Sequence, residues 1–374
     1  MSLLDSLSVD PGSSIPLSHQ LKQQLTWLIA SEALKPGDRL PPVRELAGRL
    51  SINLHTVRRA YLKLEAEGLV EARRGRGTHV LALDPWRMLQ ATGGERSHTI
   101  GVILPSLFNP FYHAFLHGVK TVADESQSLL FMCITQDDPG EAWRNFAQLA
   151  SRQVDGVIVV SHDIFQFFPK ERTQPVYAEA LLPVVTVDWP DCEGACVLVD
   201  LENAGYQATR HLLEHGHRRV GLITFASDVA NVLPVNAGYL RALQEVGIRE
   251  EPELIAREYS FRIESGDDGA RKLLSLERPP TAIFAISDIL AFGAMRAIAA
   301  AGMRIPNDVA LAGFNDTPMA ELVNPPLTTV SAPGEATGRE AMKLLQQTIA
   351  GQVPVNRRVL LPTRLVVRQS CGCP

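Results

Sequence analysis

The first 82 residues carry apolar positions at the spacing of short helices. Between residues 16 and 34, leucine and isoleucine recur every three or four positions, which predicts a helix that Pro36 ends. Two shorter helices are predicted next, from Val43, Leu46, Ala47 and Leu50 and from Val57, Tyr61 and Leu64. Asn53 is the expected cap of the last helix, and Gly68 is its expected end.

Two short apolar runs flank a basic, glycine-rich tip after these helices. Residues 69–72 and 78–81 have strand length, and Arg-Arg-Gly-Arg-Gly lies between them at 73–77. This pattern predicts a hairpin. Three helices and a basic hairpin make residues 1–82 a predicted winged helix-turn-helix domain, α-helical with a small β-wing.

The pattern changes after residue 98, where strand-length apolar runs alternate with amphipathic segments of helix length. Buried strands alternating with helices predict parallel sheets that are covered on both faces. Residues 99–374 are therefore predicted to form an α/β body of two Rossmann-like lobes, and residues 83–98 a linker. The predicted strands are 99–104, 129–134, 156–160, 183–187, 220–223, 282–286 and 309–313. The predicted helices are 111–126, 204–215, 238–246, 266–276 and 289–301.

Charge is divided unevenly between these two parts. The chain of 374 residues has a net charge of −5. Residues 1–82 hold 11 Lys and Arg against 8 Asp and Glu, and the remainder holds 25 against 33. A basic end on an acidic body indicates a head that binds a polyanion.

Composition excludes several classes of protein. The longest apolar run, residues 281–303, is broken by Asp288 and Arg296, and the N-terminus lacks the features of a signal peptide. The five cysteines are an odd number, which argues against a disulfide framework. We expect reduced thiols, a cytoplasmic protein and no membrane partner.

The sequences LKPGDRLPPVRELA (34–47) and TVRRAYLKLEAEGLVEARRGRGTHV (56–80) resemble the DNA-binding head of GntR-type regulators. The resemblance implies that an arginine and the start of the third helix meet the major groove, while the wing tip approaches the minor groove and phosphates. The residues it assigns to DNA are Arg44, Asn53, His55, Thr56, Arg58, Arg74 and Gly75. An arginine fork can read guanine edges. Leu54 stands where many members have a basic residue, so no base contact is assigned to it.

The body resembles the effector-binding part of LacI/GalR-type regulators, which is related to periplasmic sugar-binding proteins. The motifs are IGVILP (100–105), NPF (109–111), VDGVI (154–158), HLLEHGHRRV (211–220), PPTAIFA (279–285), GFND (313–316) and PPLTTV (325–330). The resemblance implies a small molecule held between two lobes and three crossovers, near Gly216, Pro325 and Gly351. The first lobe would comprise 99–216 and 327–350, and the second 217–326 and 351–374.

Ligands of such folds bind at the carboxyl ends of parallel strands. The residues that follow the predicted strands are Asn109, Phe111, Asp137, His162, Asp163, Trp189, Phe261 and Asp288. Phe111 and Asp288 also match family positions for ligand contact. Aromatic rings can stack on a sugar face, and carboxylates accept hydrogen bonds from its hydroxyls. Val235 stands where the family places a ligand-gripping arginine, which indicates a different sugar, a sugar derivative or a non-sugar effector.

No metal and no cofactor are expected. His211 and His215 have the i, i+4 spacing of a metal pair, with His217 nearby, but the sequence offers no evident fourth ligand. The cysteine pairs at 192–196 and 371–373 each lack a second paired half. Phosphate-binding loops and nucleophile elbows are absent, so no enzyme is expected.

The sequence thus predicts a ligand-responsive transcriptional regulator, most simply a repressor, similar in architecture to arabinose-repressor-type proteins. A palindromic operator and a homodimer are expected, because one recognition helix reads only a half-site. The effector either induces or corepresses. An aminotransferase-like body would need a Schiff-base lysine, a solute-binding protein would need an export signal, and a body that senses a protein partner stays open as an alternative.

Overall fold

The computed structural model describes residues 7–12, 16–30, 33–73, 75–81, 97–107, 109, 111–135, 138–160, 182–189, 194–225, 232–260, 262–352, 354 and 357–373. Five residues assigned above to DNA or effector lie outside this part of the chain: Arg74, Asp137, His162, Asp163 and Phe261. Most of the predicted linker lies outside it as well.

The head is a winged helix-turn-helix, as predicted. Its elements are α1 (Leu17–Ala30), α2 (Val43–Leu50), α3 (Leu54–Ala66), β1 (Val70–Arg73) and β2 (Gly77–Val80). The two strands form an antiparallel hairpin in which Val70 pairs with Val80. Leu21, Leu46 and Leu64, one from each helix, are fully buried in a common core.

The body alternates strands and helices. Its first half contains β3 (Thr99–Leu104), α4 (Phe111–Glu125), β4 (Leu129–Ile134), α5 (Pro139–Ser151), β5 (Gly156–Val159), β6 (Val184–Val187), β7 (Ala195–Val199) and α6 (Leu201–Glu214). The second half contains β8 (Val220–Phe225), α7 (Val232–Glu245), β9 (Ile255–Glu258), α8 (Ile263–Leu274), β10 (Ala282–Ala285), α9 (Asp288–Ala300), β11 (Ala310–Asn315), α10 (Met319–Leu322), β12 (Thr328–Ser331), α11 (Gly334–Ile349), β13 (Arg358–Leu361) and β14 (Arg364–Val366).

Two six-stranded sheets divide the body into two lobes. The first sheet has the order β13-β7-β6-β5-β3-β4, with every pair parallel. The second has the order β14-β12-β11-β10-β8-β9, and only the β12–β14 pair is antiparallel. We call the parts built on these sheets the first and second lobes; both are Rossmann-like, as predicted.

The chain crosses between the lobes at three points that differ from the predicted ones. It leaves the first sheet after Val199, returns between Ser331 and Gly334, and crosses again between Leu361 and Arg364. The number of crossovers is as predicted, but the predicted positions near Gly216, Pro325 and Gly351 are wrong. Gly216 and Gly351 have φ values of 91° and 65° directly after α6 and α11, so they end helices instead of joining lobes.

Three helix pairs of the body pack with their backbones in close contact at reciprocal glycines. A Cβ on Gly238 of α7 would overlap the carbonyl oxygen of Glu202, and one on Gly205 of α6 would overlap that of Val235. The same arrangement joins α4 to α11 and α8 to α9. None of the helices in the described part of the chain has the length and apolar character that crossing a membrane requires.

The head rests on the first lobe through α1 and α5. The Arg152 guanidinium lies 5.9 Å from the centre of the Trp27 ring, and the Gln23 amide donates to the Gln153 side chain across 3.5 Å. Ala147 of α5 is buried against the core of the head. The two parts therefore touch directly, in addition to their connection through the chain.

Candidate functional site

The start of α3 presents an exposed polar surface. Asn53 caps the helix by accepting a hydrogen bond from the His55 backbone N–H at 2.8 Å, as predicted. Asn53, His55 and Arg58 are exposed and Thr56 is half-buried, while Val57 and its apolar neighbours face the core. The residues assigned to DNA on this helix thus share its outer face.

Tyr61 holds the two helices of the motif together. Its hydroxyl donates to the Pro41 carbonyl, 2.9 Å away, in the turn that leads into α2. Burial, together with the nearby Glu45 carboxylate, raises the pKa of Tyr61, so the phenol remains a neutral donor. This bond positions α2, at whose first turn Arg44 is exposed.

The wing supplies further cations that sequence reasoning did not assign to DNA. Gly75 and Gly77 have φ values of 75° and 92°, which lets the hairpin turn tightly. A Cβ on Gly77 would collide with the guanidinium of Arg39, which lies across the wing. Arg39 and Arg76 are both exposed beside the tip, whereas Arg73 pairs with Glu71 at 2.8 Å. Arg39 could have been found from the sequence, because it lies within the motif LKPGDRLPPVRELA (34–47) of the head.

A cleft of about 530 Å³, including its open mouth, lies between the lobes at the carboxyl ends of the strands. All three crossovers link the same two lobes, and Val199, Leu201 and Ala332, which flank the first two, are in its wall. The other lining residues are Asn109, Phe111, Tyr112, Asp188, Val235, Ile286, Phe314 and Asn315. The first four of these belong to the first lobe and the last four to the second.

Phe111 and Tyr112 form an aromatic wall on the first lobe, beside Asn109. The Asn109 side chain accepts from the Phe111 backbone N–H at 3.0 Å, which starts α4. The Phe111 and Tyr112 rings meet edge to face, with centres 5.6 Å apart. Phe111 also stacks on the buried Phe115, with ring centres 6.4 Å apart. The structure therefore places two of the sequence-selected effector residues in the cleft.

Two polar residues of the cleft wall have left-handed backbone conformations. Asp188 has φ of 56° directly after β6, and its carboxylate accepts from the Val199 N–H at 2.8 Å. Asn315 has φ of 108° at the end of β11. Such conformations in non-glycine residues gather at functional sites. Neither residue was predicted from the sequence as an effector contact, although Asn315 lies in the GFND motif.

Two sequence-selected effector residues are not in the cleft lining. Trp189 packs against the apolar cluster under β5 and α5 of the first lobe. Asp288 is fully buried, and its carboxylate accepts from the Thr317 N–H at 2.7 Å and the Thr329 hydroxyl at 2.6 Å. Burial raises the pKa of Asp288 to about 6, against the opposite effect of these bonds. Asp288 thus supports the loop after β11 from beneath.

Val235 lines the cleft, at 3% exposure, from the first turns of α7. The LacI/GalR-type regulators have an arginine at this position. In this chain the same position lies at the cleft but presents an apolar side chain. Asp188 is the one charged residue among the described residues of the lining. A neutral ligand rich in hydroxyl groups suits such a wall of aromatic rings, amides and one carboxylate.

Family models match both parts of the chain. The model for bacterial regulatory proteins of the gntR family matches residues 17–80. The model for a periplasmic binding protein-like domain matches residues 209–371. These matches fall on the head, on most of the second lobe, and on α11 and β13 of the first lobe.

Individual relatives and solved structures cover more of the chain. The HTH-type transcriptional repressor PurR of Aliivibrio salmonicida is 31% identical over 276 residues, which are 73% of this chain and 81% of that protein. The structure of the transcriptional regulator CelR–cellobiose complex superposes with a TM-score of 0.66 at 26% identity, over 88% of this chain and all of the other. The structure of a LacI family transcriptional regulator from Enterococcus faecium with bound ribose superposes with a TM-score of 0.65 at 27% identity. The match covers 73% of this chain and 98% of the other.

Proposed function

Since this chain belongs to the bacterial HTH-type transcriptional regulators that join a DNA-binding head to a periplasmic binding protein-like body, we propose that a neutral sugar or sugar-like effector binds between its lobes. The chain is a ligand-responsive DNA-binding repressor. The observation that carries the effector proposal is the inter-lobe cleft, with aromatic rings on one wall and amide and carboxylate groups at strand ends. We propose that it acts in the cytoplasm, where operator DNA lies.

The cleft wall explains this choice of effector. Phe111 and Tyr112 offer ring faces and edges for the apolar side of a sugar, and Asn109, Asp188 and Asn315 offer hydrogen bonds to hydroxyl groups. Structural neighbours in this class hold cellobiose and ribose. Sugar phosphates and sugar acids are disfavoured, because the described lining contains a carboxylate and offers an anion no cationic partner.

The outer face of the head is proposed to read the operator. Asn53, His55, Thr56 and Arg58 at the start of α3 would enter the major groove, with Arg44 beside them. Arg74 and Gly75 at the wing tip would approach the minor groove and phosphates. Arg39 and Arg76, exposed beside the wing, would add phosphate contacts.

A homodimer on a palindromic operator is proposed, because one head presents one recognition helix. One of the two outer strands of the first sheet, β4, supports this assembly. It exposes Leu129, Phe131 and Met132, with 69%, 47% and 50% of their surfaces accessible. A row of exposed apolar side chains on an edge strand marks a surface that a second copy would cover.

Effector binding would act by changing the angle between the lobes. The cleft is flanked by crossovers, so a ligand that bridges Phe111 and Asn315 closes the first lobe onto the second. The first lobe carries the head contact through Arg152 and Trp27, so closure would move the heads. Coupling of this kind amounts to about 1 to 3 kcal/mol, and the effector must prefer one of the two states.

Replacing Phe111 with alanine should weaken effector binding and leave operator binding unchanged. A compound at about 100 times its Kd stabilises the body by roughly 2.7 kcal/mol, and a tenfold loss of affinity lowers this gain to about 1.4 kcal/mol. Thermal melting against neutral sugars, polyols, sugar phosphates, sugar acids and nucleosides measures the gain. Val246→Ala, a change at an exposed residue directly after α7, is the control. An undiminished shift in the Phe111 variant would place the ligand elsewhere.

Replacing Arg44 with alanine should cost roughly 1 to 3 kcal/mol of operator affinity and relax preference at one base pair. Arg74→Ala should instead weaken all DNA binding and flatten its dependence on salt. Fluorescence anisotropy on operator and random DNA at several salt concentrations separates the two effects. Arg304→Ala on the body surface is the control. Equal losses on both DNAs for Arg44→Ala would disprove its base-reading role.

A further inference from the structure

Two histidines and a cysteine from distant parts of the chain meet at the far end of α6. His211 lies in the last turn of this helix, and His215 is its C-cap. Cys373, near the end of the chain, places its Sγ 2.8 Å from Nε2 of His215 and 3.6 Å from Nε2 of His211. The three ligand atoms lie within 4.8 Å of one another. They sit at the opposite end of α6 from Leu201, which lines the cleft.

His215 is oriented as a metal-ligating histidine is. Nδ1 of His215 lies 2.7 Å from the backbone carbonyl of His211, so this nitrogen carries the proton and donates it to the carbonyl. Nε2 is then the nitrogen with a free lone pair, and it faces the Cys373 sulfur. Ligating histidines in proteins are held in this way, with the second ring nitrogen donating to a carbonyl or carboxylate.

One separation within the group has the value expected for tetrahedral zinc. Zn–S and Zn–N bonds of about 2.3 and 2.1 Å at a tetrahedral angle place sulfur and nitrogen roughly 3.6 Å apart. The Cys373–His211 separation has this value already. The Cys373–His215 separation is shorter, and a rotation of the half-buried Cys373 or the exposed His215 side chain lengthens it without moving the core.

We propose that His211, His215 and Cys373 bind a zinc ion, with solvent in the fourth coordination position. Cys371 also contacts His211 and Cys373, but it is not one of the three grouped ligands, because its sulfur is held in the core by the Thr328 hydroxyl at 3.0 Å and the Arg368 carbonyl at 3.3 Å. The site joins the C-terminal segment after β14 to α6. Zinc therefore fastens the end of the chain to the second lobe, independently of any effector in the cleft.

Metal content of the full chain, prepared without an affinity tag and kept reduced, tests this site. After dialysis against zinc and removal of free metal, we expect about one zinc per chain by mass spectrometry. Cobalt in place of zinc should give a thiolate-to-cobalt charge-transfer band in the near ultraviolet, which reports a sulfur ligand without any substitution. Less than about a tenth of an equivalent of zinc, or cobalt bound without this band, would overturn the proposal.

Substitutions identify the ligands. His215→Ala and Cys373→Ser each remove a direct ligand at an accessible position, so zinc affinity should fall by more than about 100-fold, beyond the loss typical of outer-shell changes. His217→Ala is the matched control, because its Nδ1 lies 2.9 Å from the Thr281 hydroxyl and is not part of the group. Circular dichroism establishes that each variant is folded. Zinc affinity retained in folded His215→Ala and Cys373→Ser proteins would refute the assignment.

Discussion

Replacing Gly238 with valine is expected to destabilise the second lobe by about 4 kcal/mol or more. Gly238 packs where a Cβ would overlap the Glu202 carbonyl and crowd the Tyr206 backbone nitrogen. Both atoms belong to the backbone of α6, so no side-chain rotation relieves the clash. The helices must separate, which also uncovers the buried Tyr239. Urea unfolding followed by circular dichroism measures the loss.

The same change should disturb the cleft, because Leu201 begins α6 and Val235 lies on α7. Gly48→Ala on α2 is the matched control. A Cβ there meets nothing within 4 Å, so this substitution should be neutral or stabilise by up to about 1 kcal/mol. If Gly238→Val lost less than about 1 kcal/mol, the close helix contact would not exist in solution.

Replacing Asp288 with asparagine is expected to stabilise the body at neutral pH by up to about 3 kcal/mol. Burial raises the pKa of Asp288 to about 6, well above the ordinary value of an aspartic acid. The folded state therefore favours the protonated acid, and the wild-type protein loses stability as pH rises from about 4 to about 6. Asparagine can still accept from the Thr317 N–H and donate to the Thr329 hydroxyl. Melting temperatures at pH 4.5 and 7.5 measure the change.

The gain from Asp288→Asn should be small at pH 4.5 and reach its full size above pH 6. Asp308→Asn is a control whose effect on stability should have the opposite sign. Hydrogen bonds from the Arg304 backbone and side chain lower the pKa of Asp308. That folded state favours the charged form, so its stabilising effect is lost as pH falls. A pH-independent difference between Asp288→Asn and the wild-type protein would contradict the buried acid.

Local signals made the head and much of the body predictable. The apolar runs at 99–104 and 129–134 are β3 and β4 with the predicted bounds. Five strands of the body were not predicted: β7, which is a buried apolar run, and β9, β12, β13 and β14. β12 reads Thr-Thr-Val-Ser, with polar residues buried in the sheet, and β13 is an outer strand with alternating exposure. Neither has the continuous apolar run by which buried parallel strands are identified.

The cleft residues could be predicted only from their position after the ends of predicted strands. Asn109 follows β3 closely and reaches the cleft. Trp189 does not, because the left-handed Asp188 takes the cleft position before it and the indole packs into the first lobe. Asp288 is buried against Thr329, which donates a hydrogen bond to its carboxylate and lies 41 residues away in the sequence. Pairing of His215 with Cys373 spans 158 residues, and no local pattern reports such a distance.

The most direct test of the account is operator affinity with and without the compound that raises the melting temperature. If the cleft controls the heads, the compound should change the operator Kd of this chain at least about fivefold, equivalent to about 1 kcal/mol of coupling. Phe111→Ala should need more of the compound to produce the same change. A compound that stabilises the body and leaves the operator Kd unchanged would contradict the claim that the cleft governs DNA binding.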